Sequence, residues 1–209
     1  MRIIAGEFRG RTIDAPQGEG TRPTTDRVRE AMMSSLASMR GDFEGAVVLD
    51  AFAGSGALGI EVLSRGAKYA LFFESDRKAQ KIIARNLAKL GIDASRGRLI
   101  NDDVLTSRYV RAADPFDLVF FDPPYAMDAH AVLAFAQGLV TSAALDGEGL
   151  IVYEHALTAS EEVRQAAHEL GFEVLVSKKY GKTGVTMMQA GFSNGKGEED
   201  EEGTDTGDV

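Results

Sequence analysis

Residues Ala46 to Gly66 read AVVLDAFAGSGALGIEVLSRG: a short apolar run, then Gly54-Ser55-Gly56-Ala57-Leu58-Gly59, then apolar residues at helical spacing. A G-x-G-x-x-G that leaves a strand and opens a helix commits the chain to a βαβ unit, because glycines let the backbone turn sharply and approach a ligand closely. The pattern repeats downstream. YALFFE and GRLINDD read as strands around the helical RKAQKIIARNLAKLG, and FDLVFFD and GLIVYEH read as strands around AHAVLAFAQGLV, with SEEVRQAAHELG as a further helix. Such alternation predicts an α/β fold with a doubly wound, mostly parallel sheet. The last two strand-like runs, FEVLVSKKYG and GVTMMQAGF, are separated by too few residues for a parallel crossover. They predict an antiparallel hairpin that completes a seven-stranded sheet.

Ahead of this unit, residues 2 to 15 alternate around EFRGR and predict a small β-hairpin turning near Gly10. TRPTTDRVREAMMSSLASM then predicts a helix, capped by Thr24 or Thr25, with Val28, Met32, Leu36 and Met39 on its buried face. The organisation expected is an extension over 1–44, the α/β domain over 45–193 and a tail over 194–209. The 209 residues, 44% of them hydrophobic, suffice for one sizeable core. The stretch from Lys196 onward holds seven acids and one base, carries most of the net charge of -9 and offers almost nothing apolar to bury, so disorder is expected there. Residues 1–40 instead hold seven arginines against five acids, enough for a local basic patch. With no cysteine and three histidines the composition argues against a metal centre. Charges interrupt the N-terminal run where a secretory signal needs an apolar core, and no stretch approaches the ~20 apolar residues of a membrane span. The expectation is a cytoplasmic protein without a membrane partner.

The glycine loop alone fits a dinucleotide as well as other nucleotide-like ligands, and Glu74, twenty residues after Gly54, suits a ribose. Asp50 narrows the choice. A carboxylate just before Gly54, Ser55 and Gly56 would oppose a pyrophosphate but would suit an ammonium group. S-adenosylmethionine carries an ammonium, a sulfonium and a ribose diol without any phosphate. Asp50, Glu74 and Asp103 fall at three successive strand ends and could accept from its ammonium, ribose and adenine amino group. Each acid could instead be a helix cap or a solvated loop residue.

The motifs DAFAGSGALG, FFESD, NDDV and DPPY, followed by a terminal hairpin, resemble the class I S-adenosylmethionine-dependent methyltransferases. RIIAGEFRGR, RPTTDRVREAM, AGSGALGIEVLSRGA, DPPY and KKYGKT are similar, more narrowly, to the RsmD family of bacterial 16S rRNA guanine-N2 methyltransferases, from Arg2 to about Phe192. The resemblance implies a Rossmann-like fold, S-adenosylmethionine as cofactor, no metal, and 16S rRNA as partner, within the small subunit or an assembly intermediate. It implies a target nitrogen whose lone pair is delocalised into the base. Asp122 and the Pro123 carbonyl would accept from the amino hydrogens as that nitrogen attacks, and Tyr125 would stack on the extruded base. By the same resemblance Arg22, Thr24 and Arg27 lie beside the methionine end of the cofactor, whereas Arg2, Arg9 and Arg11 grip RNA phosphates. DPPY also occurs in enzymes that methylate DNA adenine, and spacing alone leaves a nicotinamide oxidoreductase open.

Overall fold

A computed structural model describes residues 1–15, 26–107 and 110–191. Seven strands, β1 (Val47–Asp50), β2 (Tyr69–Phe73), β3 (Gly97–Ile100), β4 (Phe116–Phe121), β5 (Leu145–Ala156), β6 (Phe172–Tyr180) and β7 (Thr183–Ala190), form one sheet in the order β3-β2-β1-β4-β5-β7-β6. The first five pair in parallel, and β7 runs antiparallel between β5 and β6. Two residues, Gly181 and Lys182, join β6 to β7. The order reverses between β1 and β4, which lie side by side although residues 51–115 separate them in the chain. Such a switch point opens a crevice at the carboxyl ends of the strands.

The sheet is covered on both faces, so its central strands are apolar throughout rather than alternating. One face carries α1 (Asp26–Arg40), α2 (Ala57–Ser64) and α3 (Arg77–Leu90), whose Met32, Leu36, Ile60, Leu63 and Ile83 meet Val48, Phe72, Phe120 and Val152. The other face carries α4 (Ala129–Thr141) and α5 (Ser160–Glu169) over Leu49, Val119, Phe121 and Tyr153. The ends of α3 follow local chemistry. The Asp76 carboxylate accepts from the Lys78 and Ala79 amides, and Gly91 stops the helix at φ 73°. The Thr24 or Thr25 cap expected for α1 lies outside the described residues, as does the tail. Among the described residues no helix is long and apolar enough to cross a membrane.

Every residue of α2 is buried, including Glu61 and Ser64, so these two need partners from the structure around them. The N-terminal arm provides them. Glu61 accepts from the Ile4 and Ala5 amides at 2.9 and 3.1 Å and pairs with Arg65 at 2.8 Å and Arg29 at 3.6 Å. Ser64 exchanges hydrogen bonds with the arm, its hydroxyl accepting from the Phe8 amide and donating to the Ala5 carbonyl, while its own carbonyl takes the Glu7 amide. The arm is a short hairpin whose loop is laid over α2. Its two ends pair as expected, with the Ile3 amide donating to Arg11, the Gly10 amide to Ile3, the Ile13 amide to Met1 and the Met1 ammonium to Ile13 around the antiparallel Arg2–Thr12 bridge, whereas the amides of Ile4, Ala5, Glu7 and Phe8 between them donate to the helix. Gly6 marks the closest approach: at φ 82°, a Cβ there would sit 1.6 Å from the Ser64 carbonyl oxygen.

Arg29 and Glu61 are both fully buried, and each has one further ion-pair partner, Asp26 for Arg29 at 3.1 Å and Arg65 for Glu61 at 2.8 Å. Glu61→Ala is expected to cost about 3 kcal/mol in urea unfolding, since it takes away the buried partner of Arg29, leaving it only the exposed Asp26, and the acceptor of the Ile4 and Ala5 amides. Gly6→Ala is expected to detach the arm, read as faster amide exchange over residues 3–13. Wild-type exchange in that variant would show that the close approach to α2 does not hold the arm.

Candidate active site

A cavity of about 620 Å³ opens at the carboxyl edge over the switch point. Three connections shape it: the glycine loop after β1, the turn after β2 and the segment after β4. Asp50 ends β1 almost wholly buried, and its carboxylate accepts from the Gly59 amide at 3.0 Å, at the first turn of α2. Burial, offset in part by that hydrogen bond, raises its pKa to about 7, with Glu74 adding like charge. Glu74, one residue beyond β2, accepts from the Gly54 amide at 2.8 Å and with its other oxygen from the Asp76 amide at 2.8 Å. Asp103 accepts from the Leu105 amide at 3.0 Å in the turn after β3. All three acids thus cap or brace backbone, and all three also line the cavity.

The three glycines of the loop do different things. Gly54 faces open space at φ 57° and lines the cavity with Ser55. Gly56, at φ 78°, turns toward the core instead, where a Cβ would meet Ile60, Phe72 and Ile83 at 3.3–3.6 Å. Gly59 permits close packing of α2 on β2, since a Cβ would fall 2.4 Å from the Phe72 ring. Only the first of them touches the cavity.

Across the cavity, Asp122-Pro123-Pro124-Tyr125 follows β4. Phe121 anchors it from below, in contact with the rings of Phe52, Phe135 and Tyr153. Asp122, Pro123 and Tyr125 all border the cavity. Tyr125 is 45% exposed, an unusual state for a large ring, and its hydroxyl lies 3.2 Å from Thr183 Oγ1 on β7. The hydroxyl is held at β7 while nearly half of the residue stays accessible at the cavity.

Arg22 and Thr24 lie outside the described residues. Arg27 is exposed on α1 and is absent from the cavity's described lining. Arg2 and Arg9 are exposed on the arm; the Arg2 carbonyl accepts from Arg29. Arg11 lies 5.8 Å over the Phe8 ring and donates to the Lys89 carbonyl at the end of α3.

The sequence reading passed over Glu154. It is buried on β5, one residue past the pairing of Phe121 with Tyr153, which puts it beside Asp122 at the cavity. Its signal was the one used for Asp50, an acid closing an apolar strand, here in IVYEH. Met1, Phe52 and Phe73 also line the cavity and follow no motif. Gly184, the first residue of the run GVTMMQAGF, lies within β7, where a Cβ would fall 2.3 Å from the buried His155 ring. That ring contacts the Ala156 carbonyl and Thr186 Oγ1, and burial lowers its pKa. Among the described residues no group of three histidine, aspartate or glutamate side chains could hold a metal ion.

The family model described as conserved hypothetical protein 95 matches residues 1–189. The ribosomal RNA small subunit methyltransferase D of Escherichia coli (strain K12) is 44% identical over 125 residues; that match covers 60% of this chain and 60% of the relative. The putative rRNA methyltransferase YlbH of Bacillus subtilis (strain 168) is 34% identical over 192 residues, 90% of this chain and 98% of that one. Among solved structures, the putative methyltransferase yhhF from Escherichia coli superposes with a TM-score of 0.70 at 33% identity, covering 91% of this chain and 98% of the other. A sheet reversing at β1 and β4, DPPY at the cavity and a match over nearly the whole described chain agree: the chain belongs to the conserved hypothetical protein 95 family, the RsmD family of methyltransferases.

Proposed function

We propose that this chain transfers a methyl group from S-adenosylmethionine to the exocyclic N2 of a guanine in small-subunit ribosomal RNA. The observation that carries the reading is the charge of the cavity wall. Its described lining contains seven carboxylates and no lysine, arginine or histidine. A pyrophosphate would meet like charge there, which argues against a nicotinamide cofactor, whereas a ligand with ammonium and sulfonium charges meets its complement. The names of the relatives support ribosomal RNA over DNA as the substrate class.

Asp50 would hold the ammonium, and Asp103 the adenine amino group. Glu74 spends one lone pair of each oxygen on a backbone amide, which leaves acceptors for a ribose diol. Bound there, S-adenosylmethionine supplies an electrophilic methyl on a sulfonium. Asp122 and the Pro123 carbonyl accept from the hydrogens of the target amine, favour the pyramidal nitrogen whose lone pair is free, and stabilise the positive charge that develops on it. The two prolines hold these acceptors still, because they fix φ and remove two backbone donors. A carboxylate also suits the base, since guanine presents N1–H and the N2 amino group as adjacent donors, whereas adenine offers a donor beside an acceptor. The exposed Tyr125 face would stack on the extruded guanine and offset the cost of unstacking it.

Isotopically labelled S-adenosylmethionine offered with small ribosomal subunits, naked rRNA and DNA, followed by mass spectrometry of the nucleosides, tests the reading. N2-methylguanosine is the expected product, and label in N6-methyladenine of DNA would overturn it.

Two further outcomes are expected. Asp122→Ala lowers the single-turnover rate by roughly 100-fold or more while cofactor affinity changes little. Tyr125→Phe is mild, as it loses only the contact to Thr183, whereas Tyr125→Ala costs roughly 5- to 150-fold. Equal damage from the two tyrosine variants would refute stacking.

The raised pKa of Asp50 predicts a pH dependence. Below about 7 the free protein carries a proton there, which a cationic ligand must displace, so affinity rises with pH by up to roughly tenfold per unit until about pH 7 and then levels. Asp50→Asn keeps an oxygen for Gly59 and is expected to bind more weakly at neutral pH, with a flat profile. A flat wild-type titration in calorimetry would remove Asp50 from ammonium binding.

A further inference from the structure

Helix α3 shows a charge pattern that the cavity does not use. Its buried side consists of Ala79, Ile82, Ile83, Asn86, Leu87 and Leu90. On the opposite side every exposed residue is either a cation (Arg77, Lys78, Lys81, Arg85, Lys89) or an alanine (Ala84, Ala88). The helix contains no acid. Lys78, Lys81, Arg85 and Lys89 follow one another at spacings of three and four, so they stack along one stripe and repel, an arrangement that destabilises a helix unless something else makes use of it. Of the five, Arg85 and Lys89 have a carboxylate in reach, the same Asp14, at 3.9 and 3.7 Å. Among the described residues Arg77, Lys78 and Lys81 have no ion-pair partner.

The stripe is also placed. Its first residue, Lys78, is two past Asp76, which lines the cavity, so the row of cations starts near the cavity rim and runs about 17 Å along the helix. At its far end it meets the N-terminal arm: Arg11 donates to the Lys89 carbonyl, and Lys89 reaches Thr12 Oγ1 at 3.4 Å. Arg9 and Arg11 therefore extend the same surface. Ammonium and guanidinium groups at regular spacing, with no aromatic residue and no apolar side chain larger than alanine between them, fit a phosphodiester backbone rather than base edges or a protein groove.

We propose that the outer face of α3, continuous with the arm, is a docking surface for the phosphate backbone of the RNA whose target base enters the cavity. This deepens the reading of the chain as an RNA methyltransferase and rests on it for the identity of the partner. The surface is electrostatic and carries no sequence information. It fixes where the substrate lies, and the cavity chooses the nucleotide.

The test uses the full chain carrying Lys78→Gln, Lys81→Gln and Arg85→Gln together, substitutions that keep good helix formers on an exposed face. Lys68→Gln is the control; Lys68 is exposed beside Asp114 just before β2, at the opposite edge of the sheet from the cavity. Affinity for naked small-subunit rRNA is measured by filter binding from about 50 to about 200 mM salt. The expected result is a triple variant with an unchanged circular-dichroism spectrum and unchanged S-adenosylmethionine affinity. Its affinity for the RNA falls roughly tenfold or more, and the slope of log affinity against log salt is shallower by about two to three. A slope equal to wild type, or an equal loss in the Lys68→Gln control, overturns the docking surface. So does a variant that keeps its affinity for naked rRNA and loses only binding to the assembled subunit, because the stripe would then meet ribosomal protein. Methyl transfer, assayed in parallel, separates this inference from the function. If the wild type binds RNA through the stripe yet methylates no RNA, the methyltransferase reading fails and the surface stands; if it methylates RNA with the stripe neutralised and the slope unchanged, the reverse holds.

Discussion

The cavity depends on one constraint: the backbone amides of the turn between β1 and α2 must find acceptors, and carboxylates from two neighbouring strand ends supply them. Asp50 takes the Gly59 amide and Glu74 the Gly54 amide. The glycines make the turn sterically possible, and the acids hold its shape. The arrangement is costly, since Asp50 is buried with a pKa raised to about 7 next to another acid. A fold that only needed to satisfy two amides could do so with neutral oxygens. Carboxylates satisfy the same amides and leave negative charge at the cavity wall, so in the proposed function bracing the loop and attracting a cation would be one device.

A second buried acid works in the opposite direction, tying the molecule together on the helical side of the loop. Glu61 lies in a helix with no exposed residue and joins the N-terminal arm, α1 through Arg29 and the end of α2 through Arg65. Because the arm is fixed on α2, and α2 begins at the glycine loop, the arm's first residue comes to the cavity: Met1 lines it and its sulfur lies 3.7 Å from Ser55 Oγ. The extension thus contributes Met1 to the lining of the site. Its basic residues are held at one end of α3 by the same packing.

Much of this was legible from local chemistry. Asp50, Glu74, Asp103 and Asp122 each close an apolar run or follow one closely, and a parallel strand buried on both faces has to be apolar whatever its neighbours are. The ends of such strands share one edge of the sheet, so acids at successive ends converge without any knowledge of distances. Glu154 obeys the same rule and was open to the same inference. The pairing of the arm's ends was legible in its alternation, but not the docking of its loop, whose Ile4, Ala5 and Phe8 amides bond to Glu61 and Ser64, more than fifty residues away in the chain. The individual duties of Gly56, Gly59 and Gly184 were equally hidden, since each is defined by the ring or side chain that a Cβ would strike.

By itself the sequence determined the succession of elements, the glycine turn, the rigid acid and aromatic after β4 and the acidic edge, because periodicity, proline and glycine act over a few neighbouring residues. Only the tertiary structure decided that β1 adjoins β4, that Glu61 meets Arg29, that Tyr125 stays exposed while its hydroxyl reaches β7, and that the cations of α3 run into those of the arm. Each of these is a contact between segments far apart in the chain, and which partner a buried charge or an exposed ring meets is set by how the helices pack on the sheet, a quantity that no local pattern of residues encodes.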